Sequence, residues 1–169
     1  MKTIWMLLAL STAAAGDLRS EVLDQLGAYE GTASAEQLGA LGDVGPVLLE
    51  IAQDDSVASS RRGRAITALA DFPSDDAQTW LASTLKDSDG TSYLRRKSAY
   101  ALAGGWGQAA VGPLKTALSA DDTQLRIAAA EALGSVGGSA ATQALDARLS
   151  AEDNASVREA LQKALESAR

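Results

Sequence analysis

The chain has 169 residues, which is enough for one domain with a buried core, and 46% of them are apolar. Only 4% are aromatic, and much of the apolar content is Ala and Leu, which favours helices over strands. The formal net charge of −7 disfavours nucleic acid and anionic lipid as partners, and the absence of cysteine excludes disulfides, thiolate nucleophiles and cysteine metal sites.

The first 15 residues predict a signal peptide. Lys2 supplies a positive start, residues 3–10 (TIWMLLAL) are apolar apart from Thr3, and small residues at 13–15 fit the site of signal peptidase. The apolar run is far too short for a permanent membrane anchor. We therefore expect a periplasmic or secreted protein with no stable membrane insertion after cleavage. The alternative interpretation is a buried N-terminal helix.

The segment after the signal peptide predicts an N-terminal cap for the rest of the chain. A helix is expected over 17–29, and its apolar face carries Leu18, Val22 and Leu26. Ser34 and Gln37 stand three residues apart, as in a capping box that begins a second, short helix. This segment does not share the repeat that follows it.

An internal repeat of about 32 residues runs through the chain. The segments 61–72, 94–105, 125–136 and 157–168 each end their apolar face in an Ala-Leu pair. The leucines of these pairs, spaced by 33, 31 and 32 residues, are Leu69, Leu102, Leu133 and Leu165. Seven residues before each leucine stands an arginine, and we name this series the arginine ladder: Arg62, Arg95, Arg126 and Arg158.

A second helix follows the first in three of the units. Leucines four residues apart form one stripe of this helix, at 81 and 85, 114 and 118, and 145 and 149. Glycine-rich segments at 104–107 and 134–138 predict turns within the units, with glycine ending the first helix in a left-handed cap. The predicted layout of the domain 16–169 is a capping helix at 17–29, repeats at about 34–55, 56–87, 91–120 and 122–151, and a closing half repeat at 155–168.

The consensus of the unit is V/L-R-x-x-A-x-x-A-L-G-x-V-G, and LRIAAAEALGSVGG at 125–138 matches it best. This pattern resembles the short HEAT-like repeat of the class named after phycobilisome lyases, over about residues 34–169. The resemblance implies an all-α fold, an α-solenoid of stacked antiparallel helix pairs with a curved face used for binding. It does not imply lyase activity, because one repeat scaffold serves many functions.

The arginine ladder is the most regular polar feature of the sequence. One interpretation is a groove that binds an anion or an acidic peptide. The favoured interpretation is structural, in which each arginine bonds an aspartate or a carbonyl group in the preceding turn. The aspartates five to seven residues upstream are Asp55, Asp89, Asp121 and Asp153.

Two tryptophans interrupt the repeat and are candidate binding residues. Trp106 stands in a predicted glycine turn, where it is either an exposed anchor or folded back under the turn. Trp80 stands near the second-helix face, in either a core or a surface position. Lys86 and Lys115 are predicted at exposed positions of that same face, and they complete the set of candidate binding residues.

Catalysis and cofactor binding find little support in the sequence. Without histidine, cysteine or a phosphate-binding loop, we expect no enzyme, no cofactor and no metal site. The segment 87–90 (DSDG) is similar to the start of a calcium loop, but Ser98 stands where the loop requires a late Glu, so a helix-capping turn is favoured. The basic clusters at 61–64 and 95–97 are predicted to lie on a solvated face.

The sequence therefore predicts a non-catalytic scaffold or adaptor of the bacterial envelope. Its partner is expected to be another protein, bound through the second-helix face. The first alternative is a bilin-lyase-like activity, or another enzymatic or chaperone accessory activity, on the same scaffold. A second alternative is a purely structural module of an envelope assembly.

Overall fold

Helices account for most of the structure. The computed structural model describes residues 17–27 and 33–168, and no strand occurs within these ranges. The predicted signal peptide, residues 1–15, lies outside them. The chain divides into two compact units, Met1–Ala65 and Ile66–Arg169. The all-α fold expected from the Ala and Leu content is confirmed.

The first unit consists of short helices with buried apolar faces. Its helices are α1 over 17–27, α2 (Ala35–Gly39), α3 (Gly45–Gln53) and most of α4 (Ser59–Ala68). Residues 28 and 29 of the predicted capping helix lie outside the described residues. The side chains that are almost wholly buried include Val22, Leu26, Leu38, Leu48 and Ile51.

Side-chain hydrogen bonds define helix ends in this unit. The predicted capping box is confirmed, because Ser34 Oγ accepts from the Gln37 backbone N–H at 3.2 Å and Gln37 Oε1 accepts from the Ser34 N–H at 2.8 Å. Near the last described residue of α1, Arg64 donates to the carbonyl oxygen of Leu26 at 2.6 Å, which joins α4 to α1.

The second unit is a two-layer stack of helices. Its elements are α5 (Asp75–Lys86), α6 (Ser92–Trp106), a 3₁₀ helix (Gly107–Ala110), α7 (Val111–Ala117), α8 (Thr123–Val136), α9 (Gly138–Leu149) and α10 (Ala155–Ser167). The first helices of successive repeats, α6, α8 and α10, pack side by side in one layer. The second helices, α5, α7 and α9, pack against them and against one another in the other layer. This arrangement is the α-solenoid of stacked helix pairs that the repeat predicts.

Leucines of the predicted stripes form much of the core of the second unit. Leu81, Leu114 and Leu145 of the second helices are fully buried, and so is Leu133 of α8. Leu149, predicted to share the stripe of Leu145, is only half-buried. Each fully buried leucine contributes roughly 1.5–3 kcal/mol to folding. Stacking is therefore what stabilises helices this short.

The turns within the repeats are shorter than the sequence predicts. α6 continues to residue 106 and α8 to residue 136, so each predicted glycine turn is mostly helix. Each helix ends at one glycine with a positive φ, +50° at Gly107 and +66° at Gly137, but the ψ values of −122° and −171° lie outside the left-handed helical region. A Cβ on Gly134 would lie 2.9 Å from the Ala164 Cα. That glycine therefore allows α8 and α10 to approach closely, rather than forming a turn.

Replacement of Gly134 by alanine is expected to destabilise the protein. The new Cβ would clash with the α10 backbone, so the two helices would have to move apart. Overpacking of this kind costs about 1–3 kcal/mol, which outweighs the roughly 1 kcal/mol that alanine gains over glycine inside a helix. We expect a net loss of about 1 kcal/mol in the free energy of unfolding, measured by urea denaturation.

Gly104→Ala is the matched control for this variant. Gly104 also lies inside a first helix, but a Cβ there would meet the Ala70 Cβ at an ordinary 3.4 Å. This variant should be neutral or stabilised by up to about 1 kcal/mol. If the two variants were equally stable, the close approach of α8 and α10 would not limit the size of the side chain at position 134.

Candidate binding surface

The arginine ladder lies where a first helix passes the end of the preceding second helix. In the first unit, Arg62 donates from Nε to Ala52 O at 3.0 Å, and its Nη1 lies 2.5 Å from Asp55 Oδ1. In the second unit, Arg95 donates from Nη2 to Leu85 O at 3.0 Å. Both acceptors lie in the last turn of a second helix, where C=O groups lack helical partners.

The other two arginines of the ladder also donate to backbone carbonyl groups, one in the turn that follows α7 and one at the last residue of α9. Arg126 donates from Nη1 to Ala120 O at 2.9 Å, and Arg158 donates from Nη1 to Leu149 O at 2.9 Å. Of the four aspartates that the sequence suggested as partners, Asp55 is the one whose carboxylate meets its arginine within the described residues. The backbone carbonyl is thus the acceptor that all four arginines share.

Glu152 forms an ion-paired triad that sequence reasoning missed. Its carboxylate accepts from Arg126 Nε at 3.0 Å and from Arg148 Nη2 at 2.5 Å, and the residue is only 4% exposed. Glu152 also accepts from the backbone N–H of Asn154 at 3.0 Å. The spacing of four residues between Arg148 and Glu152 was a signal for one of these pairs.

The surroundings of Glu152 favour its ionised form. Burial by itself acts to raise the pKa of this carboxyl group. Hydrogen bonds from both arginines and from the Asn154 backbone outweigh burial and lower the pKa from 4.5 to about 2. The triad is therefore a charged contact between α8, α9 and the turn that leads into α10.

Two grooves run beside the second helices of the second unit. The first, which we call the α5–α7 groove, has a volume of about 350 Å³ and is lined by residues that include Leu85, Lys86, Arg95, Ala117 and Asp121. The second, the α7–α9 groove, has a volume of about 200 Å³ and is lined by residues that include Lys115, Leu118, Ala147 and Arg148. Ser119 lines both grooves, so they adjoin across α7.

Basic residues outnumber acidic ones in the lining of the two grooves, and most of the other lining residues are uncharged. The basic residues among their lining are Lys86, Arg95, Lys115 and Arg148, and the acidic one is Asp121. Lys86 and Lys115, the candidates that the sequence suggested, are both exposed. The structure thus brings these lysines to neighbouring grooves of a chain whose net charge is −7.

The two candidate tryptophans lie elsewhere. Trp106 is the last residue of α6 and is half-buried, so it does not stand in an exposed turn. Trp80 lies within α5 and is also half-buried, and its carbonyl oxygen accepts from the Ser83 hydroxyl at 2.7 Å. Neither side chain lines the α5–α7 or the α7–α9 groove. Their role as binding anchors remains a prediction.

Two tyrosines join part of the basic cluster at 95–97 in a patch on α6, and sequence reasoning missed the tyrosines. Tyr93 and Tyr100 are 37% and 44% exposed, and with Arg96 and Lys97 they line a hollow of about 170 Å³. Burial, the hydrogen bond that Tyr100 donates to Glu131 and the charge of that carboxylate raise the pKa of Tyr100 to about 12. The positions 93, 96, 97 and 100 follow helical spacing and could have been recognised as one face.

Residues 17–27 and 33–168 contain neither a metal-binding cluster nor a membrane-spanning helix. No group of three or more acidic residues there is placed to hold a metal ion. No helix in that part of the chain is long and apolar enough to span a bilayer. The segment with a weak likeness to a calcium loop begins at Asp87, which terminates α5 and accepts from the Asp89 N–H at 3.1 Å.

Part of the chain matches a known family of repeats. Residues 88–166 match the family model of HEAT repeats, and this range includes nearly all of the helices from α6 to α10. No curated protein matches the chain. The match and the stacked helices together support a HEAT-like repeat protein with an α-solenoid fold.

Glu152→Gln should destabilise the protein strongly at neutral pH. It removes the charge that two partly buried arginines share, and loss of one partner from a buried pair costs about 3 kcal/mol. The wild-type protein should lose this contribution as the pH falls from 4.5 towards 2, because its pKa is lowered on folding and the unfolded chain takes up the proton first. Urea denaturation at pH 7, 4 and 2.5 measures both effects.

Glu159→Gln is the control on α10. Glu159 pairs with Lys163 at 2.8 Å, but both side chains are exposed, so the pair is screened by water and salt. This variant should leave the free energy of unfolding nearly unchanged at all three pH values. A similar loss in both variants, or a loss in Glu152→Gln that does not shrink at low pH, would contradict the role given to the triad.

Proposed function

We propose that this protein is a non-catalytic scaffold of the bacterial envelope that binds an acidic segment of another protein across its second helices. HEAT repeats generally mediate protein interactions, which supports the broad class. The observation that carries the proposal is the excess of basic over acidic residues in the lining of the α5–α7 and α7–α9 grooves, in a chain of net charge −7. The short unit of about 32 residues favours the phycobilisome-lyase type of repeat as the structural class.

Charge decides which kind of segment fits these grooves. An acidic segment would pair with Lys86 and Lys115 there, whereas the acidic remainder of the protein would repel it elsewhere. Most of the other lining residues are small, such as Ala117, Ser119 and Ala147. A partner backbone can therefore approach α7 closely and lie across both grooves.

Charge reversal tests the surface. The variant Lys86→Glu with Lys115→Glu should weaken capture of the native partner from an envelope extract by roughly tenfold or more, equivalent to about 1.4 kcal/mol. Capture by the wild-type protein should also fall as the salt concentration rises, since the contact is largely electrostatic. Quantitative mass spectrometry of proteins retained on the immobilised full chain measures both effects.

The charge-matched control reverses one exposed lysine outside the grooves. Lys163→Glu replaces a side chain on α10 that is 73% exposed and pairs with Glu159. This variant should retain the partner at the wild-type level. Loss of the partner in the control, or its retention in the double variant, would contradict binding through the second-helix surface.

The proposed location follows from residues 1–15 of the sequence. Expression of the full chain in a bacterial host should yield a protein in the periplasm or medium whose first residue is Gly16. Leu7→Arg should block this processing, because a charge interrupts the apolar run that export requires. A wild-type protein that stays in the cytoplasm and begins at Met1 would contradict the envelope location.

A further inference from the structure

Equivalent positions in successive repeats show how the α5–α7 groove arises. In the later repeat, the triad consists of Arg126, Arg148 and Glu152. The residues 31 positions earlier, in the same register, are Arg95, Ala117 and Asp121. Arg95 thus keeps the ladder arginine. Ala117 stands in place of Arg148, and Asp121, whose side chain is shorter, stands in place of Glu152.

These replacements leave Arg95 without the carboxylate that Arg126 has. Arg95 is only 9% exposed, and its Nε–H is buried with no hydrogen-bond partner among the described residues. Its one side-chain bond there is from Nη2 to Leu85 O. The exposed Asp121 lines the same groove but forms no ion pair with Arg95 in the described structure.

Another carboxylate near Arg95 is already engaged. The charge of Asp122 interacts with that of Arg95, but the Asp122 side chain caps α8. It accepts from the backbone N–H groups of Gln124 at 2.8 Å and Leu125 at 3.3 Å. Arg95 thus presents a largely desolvated cation to a groove of about 350 Å³. A buried cation with an unused donor is costly, so a carboxylate that enters the groove gains a strong, charge-assisted hydrogen bond.

We propose that the α5–α7 groove binds a carboxylate of the partner protein at Arg95, in the way that Glu152 binds Arg126 within this chain. This inference rests on the proposed scaffold function and specifies one contact of it. Lys86 provides the second cation that Arg148 provides in the triad. The carboxylate belongs either to an acidic side chain or to a chain terminus, since both present the same group.

Nuclear magnetic resonance with small carboxylates tests the site directly. The probes are N-acetylglutamic acid amide for a side chain, N-acetylalanine for a chain terminus, and N-acetylglutamine amide as the neutral control. With the full chain, at least one acid should cause a saturable shift of the Arg95 Nε–H signal, and the neutral probe none. Absence of a shift with both acids, or an equal shift with the neutral probe or with sodium chloride at the same ionic strength, would overturn the proposal.

A variant that fills the groove tests the comparison between repeats. Ala117→Arg with Asp121→Glu places the residue types of the later triad beside Arg95. It should abolish the probe-induced shift and raise the thermal midpoint, because the protein then supplies its own carboxylate. Ala109→Arg adds the same charge at an exposed position outside the groove and should leave the shift unchanged. A filled variant that still responds like the wild-type protein would overturn the proposal.

The outcomes separate this site from the scaffold function. If reversal of Lys86 and Lys115 abolishes partner capture but the filled variant captures normally, the scaffold proposal stands and the carboxylate site is wrong. If the Arg95 shift occurs as expected but no envelope protein depends on the two lysines, the site stands and the scaffold proposal is wrong.

Discussion

The hydrogen bond from a ladder arginine to a backbone carbonyl is the polar contact that recurs wherever a first helix follows a second helix. A helix leaves its last four C=O groups without intrahelical partners, and burial of such groups is costly. Arg62, Arg95 and Arg158 each donate to a carbonyl in the last turn of the preceding second helix. Arg126 donates instead to Ala120 O and Asp121 O in the turn that follows α7. Because the guanidinium group remains charged at any ordinary pH, this contact also complements the negative end of the helix dipole.

Every ladder arginine donates to a backbone carbonyl, but the partners of its other N–H groups differ between repeats. Arg62 meets a carboxylate in the turn before it, whereas Arg126 meets Glu152 in the turn after its own repeat. Arg95 forms no ion pair among the described residues, and its Nε–H has no hydrogen-bond partner there. The ladder is therefore accompanied by a charged, buried contact in one repeat and by an open groove in the repeat before it. Variation around this shared contact makes the surface differ from one repeat to the next.

The features that could be predicted from sequence are those that depend on neighbours along the chain. The helix stripes at Leu81 and Leu114, and the capping box at Ser34, require only the geometry of a helix and its first turn. The glycine segments at 104–107 and 134–138 were wrongly predicted as turns, because glycine also occurs where helices approach closely. Gly134 and Ala164 lie 30 residues apart, so no local pattern shows that they meet.

The sequence by itself determined the period, the all-helical class and the position of the arginine ladder. Tertiary structure decided which arginines are paired and where the grooves lie. The physical reason is the length of the acidic side chain. Glu152 is long enough to contact both Arg126 and Arg148, whereas the shorter Asp121 forms no such contact with Arg95. Glu152 and Asp121 differ by one methylene group, a difference that the consensus of the repeat does not show. That difference contributes to the formation of a buried ion pair at Glu152 and of an open groove beside Arg95.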